Sequence, residues 1–238
     1  MSIKPKLLFV GSHPDDLELG AGGLIKAAFA GNYSVGVVIL TDVDDLAEAN
    51  RRREEAISGL CHLGANPESI AFAAFRDGYL ECNRRSVDLI RKTAHSVIDN
   101  PSVVITHTHA DAHLDHIRAA ELTIASFRKA AFLGFAIPNS LIISKYKPSL
   151  CVDVSISEDC KIESTMFHKS QVKIGRIDSN NIVRLHRAFT EVFNIKACET
   201  FDQTHLFENE ESYNSIDYLV KDGVLNRSID GIQDGRIF

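Results

Sequence analysis

The sequence contains no tryptophan, no closely spaced pair of cysteines and no long apolar run. Without tryptophan, no indole is available as a flat stacking platform for a ligand. Five cysteines stand at Cys61, Cys82, Cys151, Cys160 and Cys198, an odd number with no CxxC among them. That scatter argues against a disulfide framework and against a cysteine-based zinc site. A reducing, cytoplasmic compartment is therefore expected. No stretch approaches the roughly 20 apolar residues needed to cross a bilayer, so no stable membrane insertion is expected. The apolar run at residues 7–10 is too short for a secretory signal and leads into a polar loop. Basic residues are not in excess: 26 Lys and Arg face 32 Asp and Glu, for a net charge of -6. A broad nucleic-acid-binding face is thus not expected. The run Arg51, Arg52, Arg53 reads first as a solvated helix face.

What is present is an ordinary globular composition, 45% hydrophobic and 24% charged over 238 residues. Short apolar runs at residues 7–11, 34–40, 69–75 and 102–107 read as strands buried on both faces. Between and after them, residues 17–31, 46–63, 84–99 and 116–131 carry helical spacing. Strand and helix alternate four times. The pattern predicts an α/β fold: a doubly wound, mostly parallel, Rossmann-like sheet with helices on both faces. The second half is less regular. Residues 140–156 suggest two extended segments broken near Pro148, while 159–173 and 181–193 suggest helices. A single domain over 1–238 is expected, with 1–135 as the Rossmann-like core and 136–238 as an extension completing it.

Two loops concentrate ionisable groups. The first strand is followed by His13-Pro14-Asp15-Asp16. Three ionisable side chains packed this closely strain one another unless a cation or a proton joins them. The fourth strand is followed by a loop with His107, His109, Asp111, His113, Asp115 and His116. His113 and His116 are three residues apart, so one helical turn puts them on one side. In the strand order 3-2-1-4-5, strands 1 and 4 are neighbours at the switch point, where ligands bind outside the carboxyl ends. The two loops singled out by composition are those two loops. Taken separately, the first reads equally well as a stiff turn capping a helix. His107 and His109 are expected to end the strand in structural roles. Gly20, Gly22 and Gly23 do not form a dinucleotide fingerprint, because the histidine-aspartate turn occupies its place. They are expected to permit close helix–sheet packing.

With these motifs the sequence resembles the PIG-L/LmbE-like superfamily of zinc-dependent N-deacetylases. The first family motif stands as His13-Pro14-Asp15-Asp16 and the second as His113-Leu114-Asp115-His116, with Leu114 where the family usually has proline. Weaker echoes are Arg52 with Glu55, Leu63-Gly64, Asp77-Gly78, and His168 with Ser170 and Gln171. The resemblance implies that His13, Asp16 and His116 ligate zinc, or Fe(II) or another divalent metal in its place. It implies that Asp15 is the general base. It implies that His113, held by Asp115, is a charged histidine that stabilises the intermediate or protonates the leaving amine. It implies that Arg52 and Asp77 touch sugar hydroxyls. Some relatives carry an oxyanion-assisting tyrosine where this chain has Asp111.

The activity so implied is hydrolysis of an N-acetyl group from an amino sugar or its conjugate, releasing acetate and a free amine. The expected partner is a small N-acetylated molecule, and a homo-oligomer is compatible with the sequence. Three alternatives compete: another metal-dependent amidase, a non-haem iron enzyme using the same two histidines and carboxylate, and a non-catalytic binding protein on the same fold.

Overall fold

The computed structural model describes residues 4–138, 146–204 and 210–228. Its first half runs β1 (Leu7–Gly11), α1 (Asp16–Ala30), β2 (Val35–Asp42), α2 (Leu46–His62), β3 (Ile70–Arg76), α3 (Arg84–His95), β4 (Val103–His107), α4 (Leu114–Ser126) and β5 (Ala131–Phe135). The second half adds β6 (Leu150–Asp153), α5 (Glu158–Met166), α6 (Lys169–Lys173), α7 (Ser179–Arg187), α8 (Thr190–Phe193), β7 (Cys198–Thr204), α9 (Glu210–Lys221) and β8 (Asn226–Arg227).

The strands form one sheet in the order β3-β2-β1-β4-β5-β7-β6-β8. The first five are parallel, and the last three join antiparallel. This is the doubly wound order expected from the alternation, with its switch point between β1 and β4. Successive side chains on each strand face opposite layers. Leu7 and Phe9 of β1 join Val37, Ile39, Val103 and Ile105 in one core, beneath residues of α1, α2 and α9. Leu8 and Val10 join Val38, Leu40 and Val104 in the other, beneath α3 and α4. Burial on both faces explains why the parallel strands read as unbroken apolar runs rather than alternating ones.

Several expectations need correction: the helices expected over 159–173 and 181–193 are each broken in two, into α5 with α6 and α7 with α8. The helix expected over 116–131 ends at Ser126, and β5 begins at Ala131. No glycine or proline separates the two, and a short apolar run cannot be told from a helix by periodicity alone. The helix expected to reach Asp99 stops at His95. Strand β7 does not stand out in the sequence pattern, because Glu199 sits in it as a buried charge. Of the two extended segments expected around Pro148, the second is β6, while 140–145 lie outside the described residues.

Glu199 shows what the antiparallel half does for the parallel half. Helix α1 breaks at Ala21, where φ is -138°, and the break frees backbone N–H groups in mid-helix. Glu199 accepts from Gly23 N at 2.5 Å and Leu24 N at 2.9 Å, capping the second segment. Its carboxylate also pairs with the ammonium of Lys161, equally buried. The glycines of this helix are needed for proximity, as expected: a Cβ on Gly20 would stand 2.2 Å from the ring of Phe135.

Removing one partner of a buried ion pair costs about 3–5 kcal/mol. Glu199→Ala is expected to lose stability on that scale, since it strands Lys161 and two N–H groups together. Lys161→Met is expected to lose less, because the carboxylate keeps both backbone donors. Urea denaturation of the two variants checks the order, and the reverse order would contradict this account of the helix break.

Candidate metal centre and active site

The turn after β1 is built by its own acids. Asp16 reaches back to accept from His13 N at 2.6 Å. Asp15, between them, is forced to φ 151°, outside the comfortable range of a non-glycine residue. Such backbone strain persists only where the surroundings over-determine it. The effect is to send Asp15 and Asp16 in different directions from adjacent positions. Asp16 turns towards β4, and Asp15 lines the cavity.

The turn after β4 meets it. His116, in the first turn of α4, brings Nε2 to 3.3 Å from Nδ1 of His13 and 3.6 Å from Oδ1 of Asp16. His13 Nδ1 is 3.3 Å from Asp16 Oδ2. One donor atom from each of His13, Asp16 and His116 lies within 4.8 Å of the others. The resemblance implied these three as a set, and the fold brings them together.

The far side of each imidazole is held. His116 Nδ1 is 2.8 Å from Asp111 Oδ2. Nε2 of His13 is 3.2 Å from Asp77 Oδ1 and 3.5 Å from Asp115 Oδ2. A carboxylate on the outer nitrogen fixes the tautomer and leaves the inner lone pair for an ion. Asp16 uses Oδ2 on His13 N and on His107 Nε2, 3.0 Å away, so Oδ1 remains towards His116. Two inward imidazole nitrogens and a carboxylate oxygen are donors suited to zinc and to several other divalent ions. Two further clusters share these residues, His107 with Asp111 and His116, and Asp77 with Asp115 and His13. The first is entirely buried, and His107 and Asp111 are absent from the cavity wall. An ion there would have no open position. The second sits on the outer nitrogen of His13.

The charges follow the geometry. Burial depresses His13 and His116, but the charge of Asp16 and hydrogen bonds to the surrounding carboxylates outweigh it and hold both above the ordinary histidine value. Asp16 is held well below the usual carboxylate range, its burial outweighed by His116, His107 and His13. Asp15 behaves oppositely: burial and the neighbouring Asp16 push it up to about 6, against the pull of His168, Arg52 and His13. Two adjacent carboxylates are thus driven apart, as acid–base sites require.

Several expected roles change. Asp115 does not hold His113. It accepts from Gly78 N at 2.6 Å and faces His13. The cause is the glycine turn after β3, which delivers a backbone donor to the Asp115 side of α4. His113 lies at the exposed mouth, edge-on to His13 with ring centroids 5.2 Å apart. Burial and the neighbouring imidazoles of His116 and His13 hold it below the ordinary histidine value, which favours a neutral ring rather than the charged one expected. Asp77 lines the cavity but also spends one oxygen on His13. A bulge in β3 aims it there, where the register against β2 slips between Ile39 and Thr41. His109 is exposed, as befits a strand-end residue. His107 is more than a strand end, since it grips Asp16. Sequence reasoning missed Asp111 as a support for His116; five residues apart along the chain, nothing in the spacing alone reveals it.

The arginine run resolves residue by residue. Arg51 is exposed, Arg53 binds Asp42, and Arg52 points inward at 5% exposure. Arg52 lies 3.7 Å from Asp15 Oδ1. Two of the weaker sequence echoes also meet: Glu55 accepts from Ser170 N at 2.9 Å and from Ser170 Oγ at 2.6 Å. This fastens α6 to α2. His168, at the start of α6, lies 2.9 Å from the buried Glu18 of α1.

The cavity holding these groups measures about 560 Å³. His13, Asp15, Asp16, His113 and His116 lie in its wall with Arg52 and Asp77. The rest of the wall is largely apolar, from Leu19, Ile137, Pro138 and Ile177, with Gln171 and Arg176.

Residues 8–127, just over half the chain, match the family of GlcNAc-PI de-N-acetylases, PIG-L. The chain belongs to this family. It is 29% identical over 172 residues to the uncharacterized deacetylase YaiS of Escherichia coli K12, covering 69% of this chain and 90% of that protein. It is 27% identical over 191 residues to the diacetylchitobiose deacetylase of Thermococcus kodakarensis, covering 70% of each. Among solved structures, the conserved protein TT1542 of Thermus thermophilus superposes with a TM-score of 0.71 at 22% identity, over 86% of this chain and 97% of that one. GalB, the 4-carboxy-2-hydroxymuconate hydratase of Pseudomonas putida KT2440, does so with a TM-score of 0.66 at 20% identity, over 87% and 99%. At such identities the structures speak for the fold, which deacetylases of solved structure share with a hydratase. No helix among the described residues is long and apolar enough to cross a membrane.

The pairing of His168 with Glu18 has a pH signature. Burial lowers His168, but the charge of Glu18 and its hydrogen bond outweigh it, so the folded pKa is raised. A raised pKa contributes stability in full below the unfolded value of about 6.5 and loses it as pH rises through the folded one. His168→Gln is therefore expected to cost more at about pH 6 than at about pH 9. Urea midpoints of chelator-treated protein at the two pH values measure this, and equal costs would mean that the imidazole is uncharged in the fold.

Proposed function

We propose that this protein is a metal-dependent N-deacetylase acting on an N-acetylated amino sugar or its conjugate. The observation that carries the reading is the convergence of His13 Nδ1, His116 Nε2 and the Asp16 carboxylate at one cavity wall, beside an Asp15 whose pKa is raised. Family membership supports the same reaction, and the diacetylchitobiose deacetylase relative supports the sugar class.

A divalent ion bound by His13, Asp16 and His116 would supply Lewis acidity and make water a stronger acid. Zinc is the first candidate, because the donors are two nitrogens and one oxygen. The chain's own contribution is positional. Asp15 lines the cavity from the residue next to a ligand, and its raised pKa suits it to accept a proton from water and return it to the departing nitrogen. His113 stands at the mouth with its ring edge towards His13 and offers a hydrogen-bonding group to the amide as it is attacked. Asp111 and Asp77 keep the two imidazoles turned inward. The apolar side of the wall, Leu19, Ile137 and Ile177, limits solvent around the reacting carbonyl.

Asp15→Asn is expected to reduce acetate release by about 10²- to 10⁴-fold, the span of general acid–base catalysis, while leaving the bound metal in place. His116→Ala is expected to lose the metal. Acetate assays with parallel metal analysis separate the two effects, and full activity in Asp15→Asn would refute the base assignment. Asp111→Ala keeps all three ligands, so it is expected to weaken the metal by roughly 10- to 100-fold, measured by chelator competition.

A further inference from the structure

We infer that the cavity selects substrates carrying an oxyanion, a phosphate or carboxylate, on the amino-sugar part, and that Arg176 with Arg52 binds it. The inference rests on the deacetylase reading for the reaction but on separate residues for the recognition.

Arg52 poses the question. Its side chain is almost wholly buried in the cavity wall, and its Nε has no hydrogen-bond partner among the described residues. The acid nearest it in an ion pair, Asp15, stands at 3.7 Å, beyond hydrogen-bonding distance. A guanidinium taken from water without hydrogen bonds is costly. The donors of a guanidinium form a planar fork that fits a carboxylate or phosphate. A substrate hydroxyl accepts one such bond and brings no charge.

Arg176 supplies the second cation on the same wall. It lies in the turn between α6 and α7, where Gly175 adopts φ 75°. The turn is tied down: Arg176 N donates to Gln171 O at 3.0 Å. The guanidinium is 3.5 Å from Gln171 Oε1. Gln171 is itself buried, and its amide donates to Ser170 Oγ at 3.1 Å. Ser170 is fastened to Glu55 of α2, one turn from Arg52. Both guanidinium groups are thus carried on one connected framework, α2 and α6. Arg176 also lies outside residues 8–127, which match the family.

The cavity's negative groups do not cancel the argument. Asp16 faces the histidines, Asp77 and Asp115 face His13, and Asp15 faces Arg52. Each of these acids has a cationic or imidazole neighbour other than Arg176.

The test compares acetate release from N-acetylglucosamine, its 6-phosphate and its 3-O-lactyl ether, for the native chain and for Arg176→Gln. A preference in kcat/KM for one acidic sugar over the neutral one is expected, and which acid is preferred separates phosphate from carboxylate. In Arg176→Gln that preference is expected to fall by roughly 10- to 100-fold, the worth of a charge-assisted bidentate contact, with Arg176→Lys in between. No preference, or an equal loss on neutral and acidic substrates, overturns the inference. A second arm does not depend on the reaction: equilibrium binding of glucosamine 6-phosphate, glucosamine and inorganic phosphate to the metal-loaded protein. Tighter binding of the sugar phosphate, lost in Arg176→Gln, supports anion recognition even if no acetate is released, in which case the deacetylase reading alone falls. Equal binding of the two sugars overturns the inference whatever the reaction is.

Discussion

The carboxylate of Asp16 is the tie on which the site depends. It closes its own turn through His13 N, crosses the switch point to His107 at the end of β4, and leaves its other oxygen beside His116. Two loops separated by about ninety residues are joined by one side chain, and the strand order makes that reach short. Because β1 and β4 are adjacent in register, their carboxyl ends emerge side by side. Neither loop carries a complete donor set. The topology of the sheet assembles one.

Around this tie, the acids divide into two kinds. Asp77, Asp111 and Asp115 point at the outer nitrogens of histidines, where their charge is absorbed in holding rings. Asp15 points the other way and is left with a pKa near 6. The division is enforced by backbone more than by chemistry. The strained φ of Asp15 turns it away from Asp16, the bulge in β3 turns Asp77 towards His13, and the Gly78 donor anchors Asp115. A cluster this acidic would repel itself if each residue simply faced the cavity.

Much of this was legible in the sequence. The four strand–helix repeats fix a doubly wound sheet, because burial on both faces gives unbroken apolar runs. The sheet order brings the loops after β1 and β4 together, and the family resemblance picks His13, Asp16 and His116 out of them. What was not legible has physical causes. β7 is hidden because Glu199, a charged residue, is buried in it with Lys161 as its partner. β5 is hidden because nothing punctuates the chain between it and α4. The bond between Asp111 and His116 and the turn of Asp115 towards His13 depend on side-chain direction at the start of α4, which spacing does not set. The resemblance singled out Arg52 among three neighbouring arginines, and the inward face of α2 shows that it is the buried one.

The second half of the chain, irregular in sequence, has two physical duties that explain why it departs from the alternation. Its antiparallel strands close the open edge of β5 and bring Glu199 under the break in α1, holding the helix that starts at the reactive turn. Its helices α5 and α6 lie against α1 and α2 and place Gln171, Arg176 and Ile177 on the cavity. The segment between β6 and β7 thus lines one wall of the cavity, so the part of the chain that completes the core is also the part that shapes what the site can admit.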